Sequence, residues 1–280
     1  MEYPEKIVNH LNKFPGIPPF CQNLLDRIGS QEIDFSDLVE QIKYDPGLTA
    51  NILRIANSAY YGAVRSVDSL HSALIRLGTN RVYEVIISSV VAPMMVHSLP
   101  GYRLQSEDLL RHSIWVAVAC EELARRTNDE DSHLAFTAGL LHDLGKLSLD
   151  PFISIEQRRL EYFPQGEHVA FDEREAAVFG MDHCQTGAMA LHKWHLPYEL
   201  IIPIRWHHQP DKADGHKNLV DIVHLADILS YSQGVGAGID GMLYRVCPES
   251  ERRLGLRHYD IEMVASATLE KMEELQKLLE

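Results

Sequence analysis

Residues 131–149 read DSHLAFTAGLLHDLGKLSL, an apolar run at helical spacing that contains an adjacent histidine and aspartate, His142 and Asp143. Neighbouring residues on a helix, or at its end, differ in direction by about 100°. The two side chains can therefore approach one centre from different sides. A carboxylate can bridge two cations, whereas an imidazole offers each a single nitrogen. Lys146, four residues beyond His142, lies near the same face, where its ammonium would meet a bound phosphate.

The same spacing recurs outward in both directions. Towards the C-terminus it appears in EREAAVFGMDHCQTGAMALHKW (173–194), PYELIIPIRWHH (197–208), NLVDIVHLADILSYSQGVG (218–236) and DIEMVASATLEKMEELQKLL (260–279). Towards the N-terminus it appears in LLRHSIWVAVACEELARRT (109–127), TNRVYEVIISSVVAPMMV (79–96), SVDSLHSALIRLG (66–78) and GLTANILRIANS (47–58), the last preceded by Pro46 at a position suited to a first helical turn. No segment shows convincing strand alternation, so the predicted fold class is all-α. The pattern resets at HSLPGYRLQ (97–105), predicting two lobes, residues 1–100 and 101–280. GVGAGID (234–240) reads as a loop and not a dinucleotide fingerprint, because it follows a helix instead of a strand.

Composition narrows the function. A net charge of −14 works against sequence-independent attraction to a phosphate backbone, so nucleic acid is not an expected partner. An acidic surface can still surround an anion-binding site when metal ions supply local positive charge. Cys21, Cys120, Cys184 and Cys247 include no C-x-x-C pair and read as core or near-surface thiols of a reducing compartment. No basic segment leads into an apolar stretch and no run is long enough for a membrane span, which predicts a cytoplasmic protein without a membrane partner.

Fifteen histidines, concentrated in the second half, point to metal chemistry. His207 and His208 form a second adjacent pair, with Pro210 marking the helix end. His112 begins an apolar helical stretch, and His183 sits in FGMDHCQTG. Asp227 interrupts the apolar face of DIVHLADILS, where a carboxylate is costly to bury unless a cation receives it. Trp194 reads as core, His224 as solvent-facing or core with a supporting place beside the ligands as the alternative, Tyr60 and Tyr61 as capping a core, and Asp108 as an acid favouring the start of its helix.

Six motifs occur in order between Tyr44 and Ser230, YDPGLTANILRIANSAYYG, SVDSLHSALIRLGTNRV, GLLHDLGK, FGMDHCQTGAMALHKWHLP, WHHQP and VHLADILS, and the resemblance they carry covers about residues 14 to 240. On them the C-terminal lobe resembles the HD superfamily of metal-dependent phosphohydrolases, and the whole chain resembles the bacterial HDOD-domain proteins. The related HD-GYP phosphodiesterases have metal ligands that His112, His142, Asp143, His183, His207, His208 and Asp227 resemble, and a following lysine that Lys146 resembles. Asp108 matches an acid used in their three-metal versions. DKADGHKN (211–218) stands where their glycine-tyrosine-proline signature belongs, which separates this chain from their cyclic-dinucleotide substrate.

The resemblance implies an all-helical protein of signalling contexts with a dinuclear site. His112, His142 and Asp227 would hold one ion and His183, His207 and His208 the other, with Asp143 bridging. Such a pair activates water and orients a phosphoryl oxygen for in-line attack; Asp143 and Lys146 are then the catalytic residues. Iron is the first expectation, with manganese or zinc also compatible with imidazole and carboxylate ligands. The expected activity is hydrolysis of a nucleotide or other signalling phosphate. The alternative is a non-catalytic regulatory module that keeps a structural or sensory metal and binds a signalling protein partner.

Overall fold

The computed structural model describes residues 3–29, 35–58, 66–127, 131–163, 169–236, 238–241 and 243–279. Tyr60 and Tyr61 lie outside them. Among the described residues the chain is helical, with a single isolated bridge between Leu99 and Leu104 and no β-strand. None of these helices is long and apolar enough to cross a membrane. The chain divides into two compact units: Ile17–Pro93 with Leu269–Glu280, and Met1–Gly16 with Met94–Thr268.

After α1 (Tyr3–Asn12), which belongs to the larger unit, the smaller unit holds α2 (Pro19–Gly29), α3 (Phe35–Ile42), α4 (Pro46–Ala56) and most of α5 (Leu70–Met95). Asp45 caps α4, its carboxylate accepting the Leu48 N–H at 2.9 Å, and Pro46 takes the first turn, where its missing N–H leaves nothing unpaired. Inside α5, Gly78 adopts φ 72°, a conformation open to a residue without a Cβ. The helical segments read as 66–78 and 79–96 therefore meet at this glycine. Leu24, Leu38, Ile42, Ile52, Leu74 and Ile86 are fully buried in the unit's core.

The larger unit contains α6 (Asp108–Thr127), α7 (Ser132–Leu141), α8 (Lys146–Glu161), α9 (Phe171–Phe179), α10 (His183–Lys193), α11 (Tyr198–Trp206), α12 (Lys217–Ser232) and α13 (Pro248–Arg253), and the first half of α14 (His258–Leu279), whose second half belongs to the smaller unit. α6 and α7 lie closely together because Gly139 has no side chain: a Cβ there would sit 2.8 Å from the Ala117 Cα. α12 packs against both, and α10 packs against α8 and α11.

Two helix ends set the site. α7 stops at Leu141 and α8 starts at Lys146, so His142, Asp143, Leu144 and Gly145 form the turn between them. The segment 173–194 is two helices, not one. Gly180 takes a left-handed φ of 81° after α9, and Asp182 caps α10 by accepting the Gln185 N–H at 2.6 Å. His183 thereby becomes the first residue of α10.

Candidate metal centre

The seven residues read from sequence as ligands converge in the larger unit. His112 comes from α6, His142 and Asp143 from the α7–α8 turn, His183 from the start of α10, His207 and His208 from the end of α11, and Asp227 from α12. All are buried except His208, which is nearly so. Asp108 is not part of the gathering; it opens α6, and its carboxylate accepts the Gln105 N–H at 2.7 Å.

Four of the imidazoles are held by the nitrogen facing away from the centre. Nδ1 of His142 meets the Gly139 carbonyl at 2.7 Å, and that of His207 meets the Ile204 carbonyl at 2.9 Å. Nδ1 of His183 meets Glu175 Oε2 at 2.6 Å, and that of His112 meets Ser230 Oγ at 3.2 Å, a hydroxyl that already donates to the Asp227 carbonyl. Such acceptors make Nδ1 the donor, so that Nε2 is the lone-pair nitrogen of each ring when it is neutral.

These lone pairs are crowded together. His112 and His142 Nε2 are 3.1 Å apart, and Asp227 Oδ1 lies 3.2 and 3.5 Å from them. Asp143 Oδ2 is 3.3 and 3.4 Å from the same two nitrogens, while its Oδ1 is 3.6 Å from His183 Nε2. His183 and His208 Nε2 are 3.0 Å apart. No hydrogen bond from the described residues reaches the four carboxylate oxygens of Asp143 and Asp227, although Lys146 makes ion-pair contact with Asp143. Ring nitrogens facing one another beside under-satisfied carboxylates fit cations, and among the described residues three groups that share members bring one donor atom per residue within 4.8 Å of one another: His183, Cys184, His207 and His208; His112, His142 and Asp227; and His142, Asp143 and His207.

The electrostatics agree with that fit. Burial opposes ionisation of Asp143, but Lys146 and His142 outweigh it and hold the carboxyl well below its ordinary range. Burial likewise opposes charge on His142, yet Asp143 and Asp227 push it up to about 9. His207 goes the other way, to about 3, through burial and the neighbouring His142 and His183. Burial pushes the Cys184 thiol up to about 12.

Lys146 is fully buried, with Nζ 2.6 Å from Asp143 Oδ2 and 2.5 Å from Asp240 Oδ2. Expected to face a phosphate, it is instead clasped by two carboxylates. Asp240 was not foreseen as a site residue; it lies in the glycine-rich loop, where no helical periodicity marks it. Tyr244 donates to Asp240 Oδ2 at 3.0 Å and stacks on His208, with ring centroids 3.6 Å apart. Tyr244 is partly buried and the His208 side chain nearly so, whereas the other six ligands are buried. Gly236, at φ 74°, lets the loop pass His112, since a Cβ would fall 2.6 Å from that ring. Glu175, also not foreseen, links the Tyr102 hydroxyl (2.5 Å) to His183. His224, read as solvent-facing or core, is fully buried and ties the His207 carbonyl (2.7 Å) to the Cys247 N–H (2.9 Å).

The pattern of the HDOD domain matches residues 14–210. The chain belongs to the HDOD domain family. Asp227 and Asp240 lie beyond the matched residues. Solved structures share the fold. A proposed phosphohydrolase of Shewanella amazonensis superposes with TM-score 0.72 at 23% identity, covering 98% of both chains. An HDOD domain protein of Geobacter sulfurreducens gives 0.68 at 22% identity, covering 98% of this chain and 94% of the other. A proposed signal transduction protein of Marinobacter aquaeolei gives 0.75 at 22% identity, and this chain spans 64% of its length. An uncharacterised protein of Treponema pallidum is 24% identical over 227 residues, 79% of this HDOD chain and 43% of its own length.

Proposed function

We propose that this HDOD protein carries a dinuclear metal centre that hydrolyses a phosphate ester of a nucleotide or other signalling molecule. The carrying observation is the 3.1 Å approach of His112 and His142 Nε2, both tautomerically fixed, beside two buried carboxylates. His112, His142 and Asp227 would hold one ion, His183, His207 and His208 the other, and Asp143 would bridge. Iron is the first expectation, then manganese or zinc. When bound, such a pair activates water and polarises phosphoryl oxygens. The chain's own groups orient the ligands: Glu175, Ser230 and the Gly139 and Ile204 carbonyls fix the imidazole rings, and Lys146 keeps Asp143 ionised. The fold likeness to a proposed phosphohydrolase supports this reading.

A second reading, a regulatory module with a structural or sensory metal and a signalling protein partner, is favoured by one feature. Lys146 is neutralised on both sides, and Tyr244 covers His208. The two readings separate on turnover. Chain loaded with iron, manganese or zinc is expected to hydrolyse bis(4-nitrophenyl) phosphate, at least several-fold faster in Tyr244→Ala, which removes the cover. Full metal loading with no hydrolysis in either chain would favour the regulatory module.

Metal uptake should depend on pH. His142 has its pKa raised to about 9, so in the metal-free chain at pH 7 it is protonated and competes with the cation. A ligand must be neutral to bind. Apparent affinity is therefore expected to rise from pH 6 towards 9, by about tenfold per pH unit for each proton displaced. Titration in buffers of different ionisation enthalpy reads the released protons, and an affinity flat across that range would contradict the assignment.

A further inference from the structure

Cys184 follows His183 on α10 and is buried, and read from sequence it is simply a core thiol. Its Sγ, however, lies 3.5 Å from His183 Nε2 and 3.8 Å from His207 Nε2, and His183 Nε2 in turn lies 3.0 Å from His208 Nε2. The sulfur and one nitrogen from each of the three histidines fall within 4.8 Å of one another. Bonds of about 2.3 Å to sulfur and 2.0–2.1 Å to nitrogen, at tetrahedral angles, put S···N edges at about 3.6 Å and N···N edges at about 3.3 Å. The three edges of 3.5, 3.8 and 3.0 Å are close to those values, and the other three are within 4.8 Å. His208 Nδ1 is buried without a hydrogen-bond partner among the described residues and lies 3.6 Å from Asp227 Oδ2, while the ring stacks on Tyr244.

We propose that Cys184 supplies a thiolate to the second metal position, alongside His183, His207 and His208, and sets that position's preference for zinc or ferrous iron over manganese or magnesium. The inference rests on the reading that the centre holds cations. A coordinating cation displaces the thiol proton to solvent. Thiolate and imidazole donors favour borderline and soft metals, while His112, His142 and Asp227 bring no thiolate and suit harder ones, the bridging Asp143 being common to both positions. The two positions would then differ in the ion they select.

The test uses the full chain, stripped by chelator and loaded with cobalt(II) under reducing conditions, with metal counted by elemental analysis and the spectrum recorded. The expected result is two cobalt ions per chain and a near-ultraviolet sulfur-to-cobalt charge-transfer band that disappears in Cys184→Ser. Cys184→Ala, checked for fold by circular dichroism, serves if the serine variant does not fold. Two ions without the band, or with a band that survives substitution of Cys184, overturn the assignment and leave the dinuclear reading intact. One ion with a band lost in the variant keeps Cys184 and removes the dinuclear reading. One ion without the band, or none, overturns both.

Discussion

Replacing Lys146 by methionine is expected to destabilise the metal-free chain by about 3–5 kcal/mol, the cost of removing one partner from a buried ion pair. The ammonium sits between Asp143 and Asp240, and all three side chains are at most 1% exposed. Methionine fills much of the same space but leaves Asp240 without its cation and Asp143 with only the His142 imidazolium beside it. Adding Asp240→Asn should restore part of the loss. Metal should restore another part, because bound cations would take over the compensation of Asp143. Urea unfolding with and without zinc, followed for the natural chain, Lys146→Met, Asp240→Asn and the double variant, measures each term. A change below about 1 kcal/mol in the metal-free single variant would show that the clasp does not carry the charge balance assigned to it.

Gly145→Ala should damage both stability and metal loading. A Cβ at Gly145 would lie 1.8 Å from the His183 carbonyl oxygen and 2.6 Å from the Gly187 N. Both contacts are backbone, so no side-chain rotation relieves them, and α10 must move away from the α7–α8 turn. Overpacking of this kind costs about 1–3 kcal/mol or more. The shift carries His183 away from Asp143, whose Oδ1 is now 3.6 Å from His183 Nε2. The expected result is a melting temperature several degrees lower and a metal content reduced from two ions towards one. Unchanged loading would mean that the close approach of the turn to α10 does not position the second group of ligands.

Apart from His183, which was read from the motif FGMDHCQTG, the parts of the site that were legible in the sequence share a property: each is a polar residue misplaced in an apolar helical context. His142 and Asp143 end an apolar helix, His207 and His208 end another, and Asp227 breaks the buried face of α12. Asp240 and Tyr244 carry no such mark. They follow the glycine-rich loop, and only the folded path, held by the Ile239 N–H to Tyr102 carbonyl bond at 2.9 Å, brings them over the centre. Glu175 lies eight residues before His183, a spacing with no meaning on a continuous helix. The break at Gly180 turns the chain so that the carboxylate reaches both the backbone N–H and Nδ1 of His183. Cys184 did have a signal, adjacency to a candidate ligand, but buried thiols are so common that burial alone hides a ligand. The all-helical class followed from periodicity. The break within 173–194 did not, because both halves keep apolar residues at helical spacing across it.

The most direct test of the central claim is metal content per chain, measured by elemental analysis on protein purified without chelator, beside a His142→Ala/Asp143→Ala double variant. About two metals per natural chain, lost together in the variant, is the predicted result. A metal-poor natural chain, unchanged by the substitutions and not filled by iron, manganese or zinc under reducing conditions, would contradict it.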